Sequence, residues 1–130
     1  MAKSGKEKEI IDLLEEVFGR PPGSRLGKPL KEGASIQGTV DGEKYFLLKK
    51  NDSLVVREGV IDNPDIMVAM NRAACEYMAG AEQIEDLVTR ARECIEGSRR
   101  GCEMTYLINA SLARLLLKGY LDFARAFGIV

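Results

Sequence analysis

Between residues 34 and 70, short apolar runs alternate with turn dipeptides. This pattern predicts an antiparallel three-stranded meander followed by a further strand. Asp41-Gly42 separates two strand-like runs and readily supplies the positive φ pair of a two-residue type I′ hairpin. Asn51-Asp52 is a weaker turn of the same kind. Two-residue loops at both places pair Val40 with Glu43 and Lys50 with Ser53. That register puts Ile36, Val40, Tyr45, Leu47, Leu54 and Val56 on one face, read as fully apolar. The other face takes Gln37, Thr39, Lys44, Phe46, Leu48, Val55 and Arg57. One apolar face and one mixed face are expected of a sheet that helices cover on one side.

Helical spacing of Ile10, Ile11, Leu14, Val17 and Phe18 predicts a first amphipathic helix over 4–18, with Ser4 as N-cap and Gly19 as its stop. The Gly-, Pro- and base-rich segment 19–33 reads as an ordered surface connection that lets this helix pack some distance from the first strand. Residues 65–70 predict a fourth strand. Asn71 is a good N-cap for a short helix over 72–79 that Gly80 closes. Ile84, Leu87, Val88, Ala91 and Ile95 form one stripe of a helix over about 82–96. Met104, Tyr106 and Ile108 alternate within 102–108, predicting a fifth strand. Asn109 then caps a last helix over about 110–127, whose broad stripe is Leu112, Leu115, Leu116, Phe123 and Phe127. Gly119 inside it marks close packing or a kink. The expected fold class is α+β, a mainly antiparallel five-stranded sheet covered by helices on one face, in one domain over 1–130.

The order and spacing of four segments resemble the sterol carrier protein 2 family of lipid-binding domains. GTVDGEKYFLLKKNDSLVVREG is similar to the strand-turn-strand-turn-strand opening of that family, and PDIMVAMNRAACEYMAG to its proline-aspartate strand and short helix. EQIEDLVTRARECI resembles the next helix, and EMTYLI the late strand before a closing helix. The resemblance covers about residues 34–127. It implies an apolar tunnel or groove between sheet and helices that holds an acyl chain, a sterol-like molecule or another flat apolar ligand.

Composition narrows the alternatives. Histidine is absent, which removes the commonest general base near neutral pH and the commonest metal ligand. No nucleophile-elbow, zinc-protease, Walker A or dinucleotide motif is present. Neighbouring carboxylates such as Glu15-Glu16 and Glu82/Glu85/Asp86 have the spacing of solvated helix faces. The three cysteines, Cys75, Cys94 and Cys102, are an odd number without C-x-x-C spacing, which argues against a disulfide framework or a zinc site, and Cys75 and Cys94 fall within helical patterns where small buried thiols are expected. A net charge of −1, with no basic stripe, argues against a nucleic-acid partner. No apolar run approaches the roughly 20 residues that span a bilayer, and no signal-peptide pattern is seen, so a cytoplasmic protein is expected.

The expectation is a non-enzyme without cofactor that binds an apolar small molecule. The residues expected to line its site are Tyr45, Leu47, Val56, Val68, Met78, Leu112, Leu115, Leu116 and Phe123. Met67, Met70, Met78 and Met104 add adaptable apolar bulk. Tyr45, Tyr77, Tyr106 and Tyr120 each carry a hydroxyl able to orient a head group. The same stripes also serve an ordinary filled core. In that case the chain is an interaction or homodimerisation module, with Phe46, Leu48 and Val55 as its contact face unless the first helix folds back over them.

Overall fold

A computed structural model of the protein describes residues 9–20 and 27–126. Five strands, β1 Ser35–Val40, β2 Glu43–Lys50, β3 Ser53–Glu58, β4 Ile66–Met70 and β5 Met104–Ile108, form one sheet in the order β3-β2-β1-β4-β5. Every neighbouring pair is antiparallel except β1 and β4, which run parallel. The sheet is therefore mixed and mostly antiparallel, within an α+β fold.

Both hairpins have the expected register, Val40 opposite Glu43 and Lys50 opposite Ser53. Asp41 and Gly42 take φ of 49° and 85°, and Asn51 and Asp52 take 51° and 66°. These are the paired positive angles that a type I′ turn demands. The parallel pairing requires residues 59–65 to cross from one side of the sheet to the other. Gln37, which points away from the helices, anchors that crossing. Its Nε2 donates to the Gly59 carbonyl at 3.1 Å, and its Oε1 accepts from the Ile61 N–H at 2.8 Å. This explains how a glutamine on the open face comes to be only 5 % exposed.

On the covered face lie α1 Ile10–Leu14, which continues as a π-helical turn over Glu15–Gly19, then α2 Arg72–Ala79, α3 Ile84–Glu96, α4 Leu112–Leu117 and α5 Tyr120–Ala126. Leu13, Leu14, Val17 and Phe18 are buried here, and the first helix packs on α2 and on the edge strand β3. It does not fold over Phe46, Leu48 and Val55, which stay half-buried on the opposite face. Leu87, Ala91 and Cys94 of α3 and Ala74, Cys75 and Met78 of α2 complete the core.

Several sequence expectations are corrected. The covered face is not wholly apolar, because period-two alternation also places Lys49 there. Lys49 is 4 % exposed and its Nζ donates to the Gly27 carbonyl at 2.7 Å, so the ammonium is satisfied at the sheet margin while its stem packs inside. The first helix is described only from Ile10, and the proposed Ser4 cap lies outside the described residues. Gly19 closes the π-helical turn without a left-handed φ, and the extended Arg20 ends the helix. Asn71 caps α2 as expected, accepting from Ala74 N–H at 3.0 Å. Asn109 does not cap the last helix; its side chain donates to the Pro64 carbonyl at 2.7 Å, and Ser111 caps α4 instead by accepting from Arg114 N–H at 3.2 Å.

The last helix is two helices. Gly119 breaks it with φ of 85°, and a Cβ there would collide with the Pro29 carbonyl oxygen. The break lets the Lys118 carbonyl accept from Lys31 N–H at 2.9 Å, pinning the α4–α5 corner to the 27–33 loop. Gly119→Ala is expected to lose at least about 1–2 kcal/mol, the ordinary cost of a left-handed non-glycine residue. Urea denaturation checks this, and an unchanged midpoint would show that the corner has room to relax.

Candidate functional site

The same alternation that builds the core also lines a cavity of about 270 Å³ between the sheet and the helices. Its floor is the covered face of four strands: Ile36 and Val40 of β1, Tyr45 and Leu47 of β2, every second residue of β4 (Ile66, Val68, Met70), and every second residue of β5 (Met104, Tyr106, Ile108). Leu14 and Phe18 of the first helix and Ile95 of α3 close one side. Leu112, Leu115 and Leu116 of α4, with Tyr120 and Leu121 of α5, close the other. Among the described residues, no carboxylate, amine, guanidinium or thiol belongs to this lining.

Two tyrosines at the cavity wall, Tyr45 and Tyr120, are held in the protonated form. Burial, and then the nearby Glu43 and Glu58 charges, push the Tyr45 phenol above its ordinary value. Burial, and then the Asp65 charge and hydrogen bond, push that of Tyr120 much higher. The Tyr120 hydroxyl is already committed to the protein, donating to Asp65 Oδ2 at 3.0 Å and lying 3.2 Å from the Ser35 carbonyl. Tyr77 is outside the lining, with its hydroxyl donating to Glu93 at 2.6 Å and its ring between Arg90 and Arg99.

Asp65 is the fixed point that holds α4 and α5 beside the cavity. It is fully buried. Its Oδ1 stands 2.7 Å from Arg114 Nε and its Oδ2 3.3 Å from Lys118 Nζ. The Oδ2 also accepts from the Ser35 backbone N–H at 3.0 Å, so the carboxylate ties β1 to both C-terminal helices. Around it, Arg114 Nη2 donates to the Asn63 carbonyl at 2.8 Å and Lys118 Nζ to the Gly33 carbonyl at 3.2 Å. With Arg114 and Lys118 one turn apart on one flank of α4, its leucines at 112, 115 and 116 are turned toward the cavity.

Of the nine residues expected at the site, Tyr45, Leu47, Val68, Leu112, Leu115 and Leu116 line this cavity. Val56 and Met78 are buried in the core outside the lining, and the side chain of Phe123 lies outside the described residues. The sequence reading did not anticipate the contributions of Leu14, Phe18 and Ile95, nor the Asp65 cluster. One signal pointed to the cluster: Arg114 and Lys118 stand four apart in an otherwise leucine-rich helix and so share a side.

The cysteines are free and buried, and the two most deeply buried make poor nucleophiles. Burial, reinforced by Asp41, pushes the Cys75 thiol from 9.0 up to about 12. Burial, and then the neighbouring Cys102, pushes that of Cys94 to about 11. Above pH 9 the unfolded chain sheds thiol protons that the folded chain retains, so stability falls as pH rises toward 11. The slope is at most about 1.4 kcal/mol per pH unit for each thiol. Urea unfolding at pH 9 and pH 11 measures it, and a flat profile would contradict the burial of both groups.

Among the described residues no group of three potential ligands is placed to hold a metal ion, and no helix is long and apolar enough to cross a membrane. Comparison with protein-family profiles and with curated protein sequences gives no match. Among solved structures, one described as "UbiJ-SCP2 Ubiquinone synthesis protein" superimposes with a TM-score of 0.51 at 12 % identity, over 91 % of this chain and 91 % of that one. With its mixed five-stranded sheet and its helices gathered on one face, the chain has the fold of a sterol carrier protein 2-like domain.

Proposed function

We propose that the protein binds the hydrocarbon part of a lipid-like or other apolar small molecule in this cavity and does no covalent chemistry on it. The observation that carries the reading is an all-apolar lining around space that the protein's own side chains leave unfilled. A volume of about 270 Å³ is near the lower end of ligand pockets, which run from ~300 to 1,000 Å³. It suits one alkyl or isoprenoid chain better than a bulky polycyclic molecule. Each methylene moved from water into such a space gains about 0.8 kcal/mol. Tyr45, Leu47, Val68, Leu112, Leu115 and Leu116 are the contacts on this reading, with Asp65 as the residue that positions α4.

The fold likeness supports the proposal by analogy. The matched protein is described as a ubiquinone synthesis protein, so isoprenoid-tailed quinones join fatty acids as ligands to try. The test is native mass spectrometry of protein purified from cells, followed by dye displacement with fatty acids. A co-purifying apolar mass and saturable displacement are expected. A clean apo mass with no response to fatty acids or hydrophobic dyes would count decisively against a carrier.

A second reading has the open sheet face as a homodimer contact. There Met67 is 42 % and Leu107 64 % exposed, extending the patch begun by Phe46, Leu48 and Val55. Light scattering on Phe46→Glu decides it: a fall from dimer to monomer mass supports the contact, and an unchanged mass removes it.

A further inference from the structure

We propose that the outer edge of β5 pairs antiparallel with the same strand of a second copy, making one continuous sheet of the two. This goes beyond the binding of a ligand and does not depend on one being bound. The phase of the β4–β5 ladder is set at its ends, where Asn71 N–H donates to the Glu103 carbonyl and Asn109 N–H to the Asp65 carbonyl. Alternation along an antiparallel pair then turns the N–H and C=O groups of Thr105 and Leu107 toward β4, and those of Tyr106 and Ile108 outward. Nothing else in the described chain bonds those outward groups. Thr105, Tyr106, Leu107 and Ile108 are all exposed, none is charged, and no proline or bulge interrupts them. Folded proteins normally blunt such an edge with charge, proline, a bulge or a covering helix. The other edge strand, β3, is blunted in this way: it ends in Arg57-Glu58, and the first helix packs on it.

The occupant follows from the main chain. A strand with outward bonding groups at alternate positions is complementary to itself across a two-fold axis. Leu107, at 64 % the most exposed residue of the strand, is the place for that axis, because Met104 at the strand's start is only 8 % exposed and takes no part. Leu107 then faces the partner's Leu107 in a non-hydrogen-bonded pair, the kind in which side chains stand closer. Tyr106 and the partner's Ile108 exchange both main-chain bonds, as do Ile108 and the partner's Tyr106. Their side chains meet on the covered face, where an aromatic beside a β-branched residue packs well. The contact sets no charge against its like, since Glu103 lies outside the paired span and Arg114 and Lys118 are held by Asp65. The pairing also changes the cavity. Tyr106 and Ile108 line it while 42 % and 52 % exposed, so it meets solvent along β5. An axis perpendicular to the sheet keeps the helices of both copies on one face. Each cavity margin is then closed by the partner's Tyr106 and the partner's Ile108.

The test is sedimentation equilibrium of the full chain carrying Leu107→Glu, of the chain carrying Leu107→Lys, and of their equimolar mixture, beside the wild type. Leu107 is exposed and outside the cavity lining, so both variants are expected to fold. The wild type is expected to be a dimer. Each variant alone sets like charges face to face at the axis and is expected to raise the dissociation constant at least about tenfold. The mixture sets opposite charges there and is expected to recover a dimer. Amide hydrogen exchange at Tyr106 and Ile108 is expected to slow as wild-type concentration rises, while Thr105 and Leu107, already bonded to β4, stay slow throughout. A monomeric wild type overturns the proposal, as does a dimer that neither variant weakens or a mixture as weak as its components. A dimer that Phe46→Glu dissociates, with no slowing at Tyr106 and Ile108, moves the contact to the open face and overturns it too. None of these readouts involves a ligand, so the strand pairing and the carrier reading fail separately.

Discussion

Asp65→Ala is expected to lower the unfolding free energy by about 3–5 kcal/mol, the cost of removing one partner from a buried ion pair. The loss strands several groups at once. Ser35 N–H loses its acceptor, the Tyr120 hydroxyl keeps the Ser35 carbonyl but loses Asp65, and Arg114 and Lys118 lose their counter-charge. Each buried polar group left unpaired costs about 1–3 kcal/mol. Arg114 and Lys118 retain 31 % and 25 % side-chain exposure, so both can turn toward water and keep the total near the lower end of the range. Asp65→Asn, which preserves acceptor capacity but not charge, is expected to lose less. Urea denaturation separates the two variants. Hydrogen exchange should show α4 and α5 loosening first, since Asp65 is their tie to β1. A loss below about 1 kcal/mol for the alanine variant would mean that the helices are held by something other than this carboxylate.

Val68→Trp is expected to weaken binding of an alkyl ligand on the order of tenfold to a hundredfold, because the indole takes space that several methylenes would occupy. Val68 sits on the cavity floor in β4, half-buried, with Tyr106 opposite it on β5. If the space is empty without ligand, filling it costs little, and stability should change by less than about 1.5 kcal/mol. Fluorescent fatty-acid titration and urea denaturation of the same variant read both quantities. Undiminished binding would place the ligand elsewhere. A large loss of stability with no ligand effect would mean the space is packed.

The contrast between what local pattern encodes and what it does not is visible residue by residue. The two hairpins were legible because a type I′ turn needs positive φ at adjacent positions, and Asp41-Gly42 and Asn51-Asp52 tolerate it. The strand β5 was legible from the alternation of Met104, Tyr106 and Ile108, and the break at Gly119 from a glycine within an apolar helical stripe. The parallel placement of β4 beside β1 was not, since it depends on a crossing loop held by Gln37 from the far side of the sheet. Lys49 was missed because a charged residue is expected to face water, whereas period-two geometry put it inside and a nearby carbonyl satisfied it. Asp65 was missed because its partner Lys118 is 53 residues away, and ion pairs of that separation leave no periodic trace. Asn109 was expected to cap the last helix, but the Pro64 carbonyl drew its side chain away. Six of the nine expected lining residues meet at one cavity because face and stripe follow from period alone. Whether two apolar faces touch or stand apart does not, as buried Val56 and Met78 show.

Methyl NMR during titration with a saturated fatty acid tests the carrier interpretation at its source. The predicted result is shifts at Val68, Ile66, Ile95, Leu115 and Met104, with Val17 and Leu87 of the filled core unmoved. Shifts confined to Leu48 and Val55 on the open face, or no shifts at all, would contradict it.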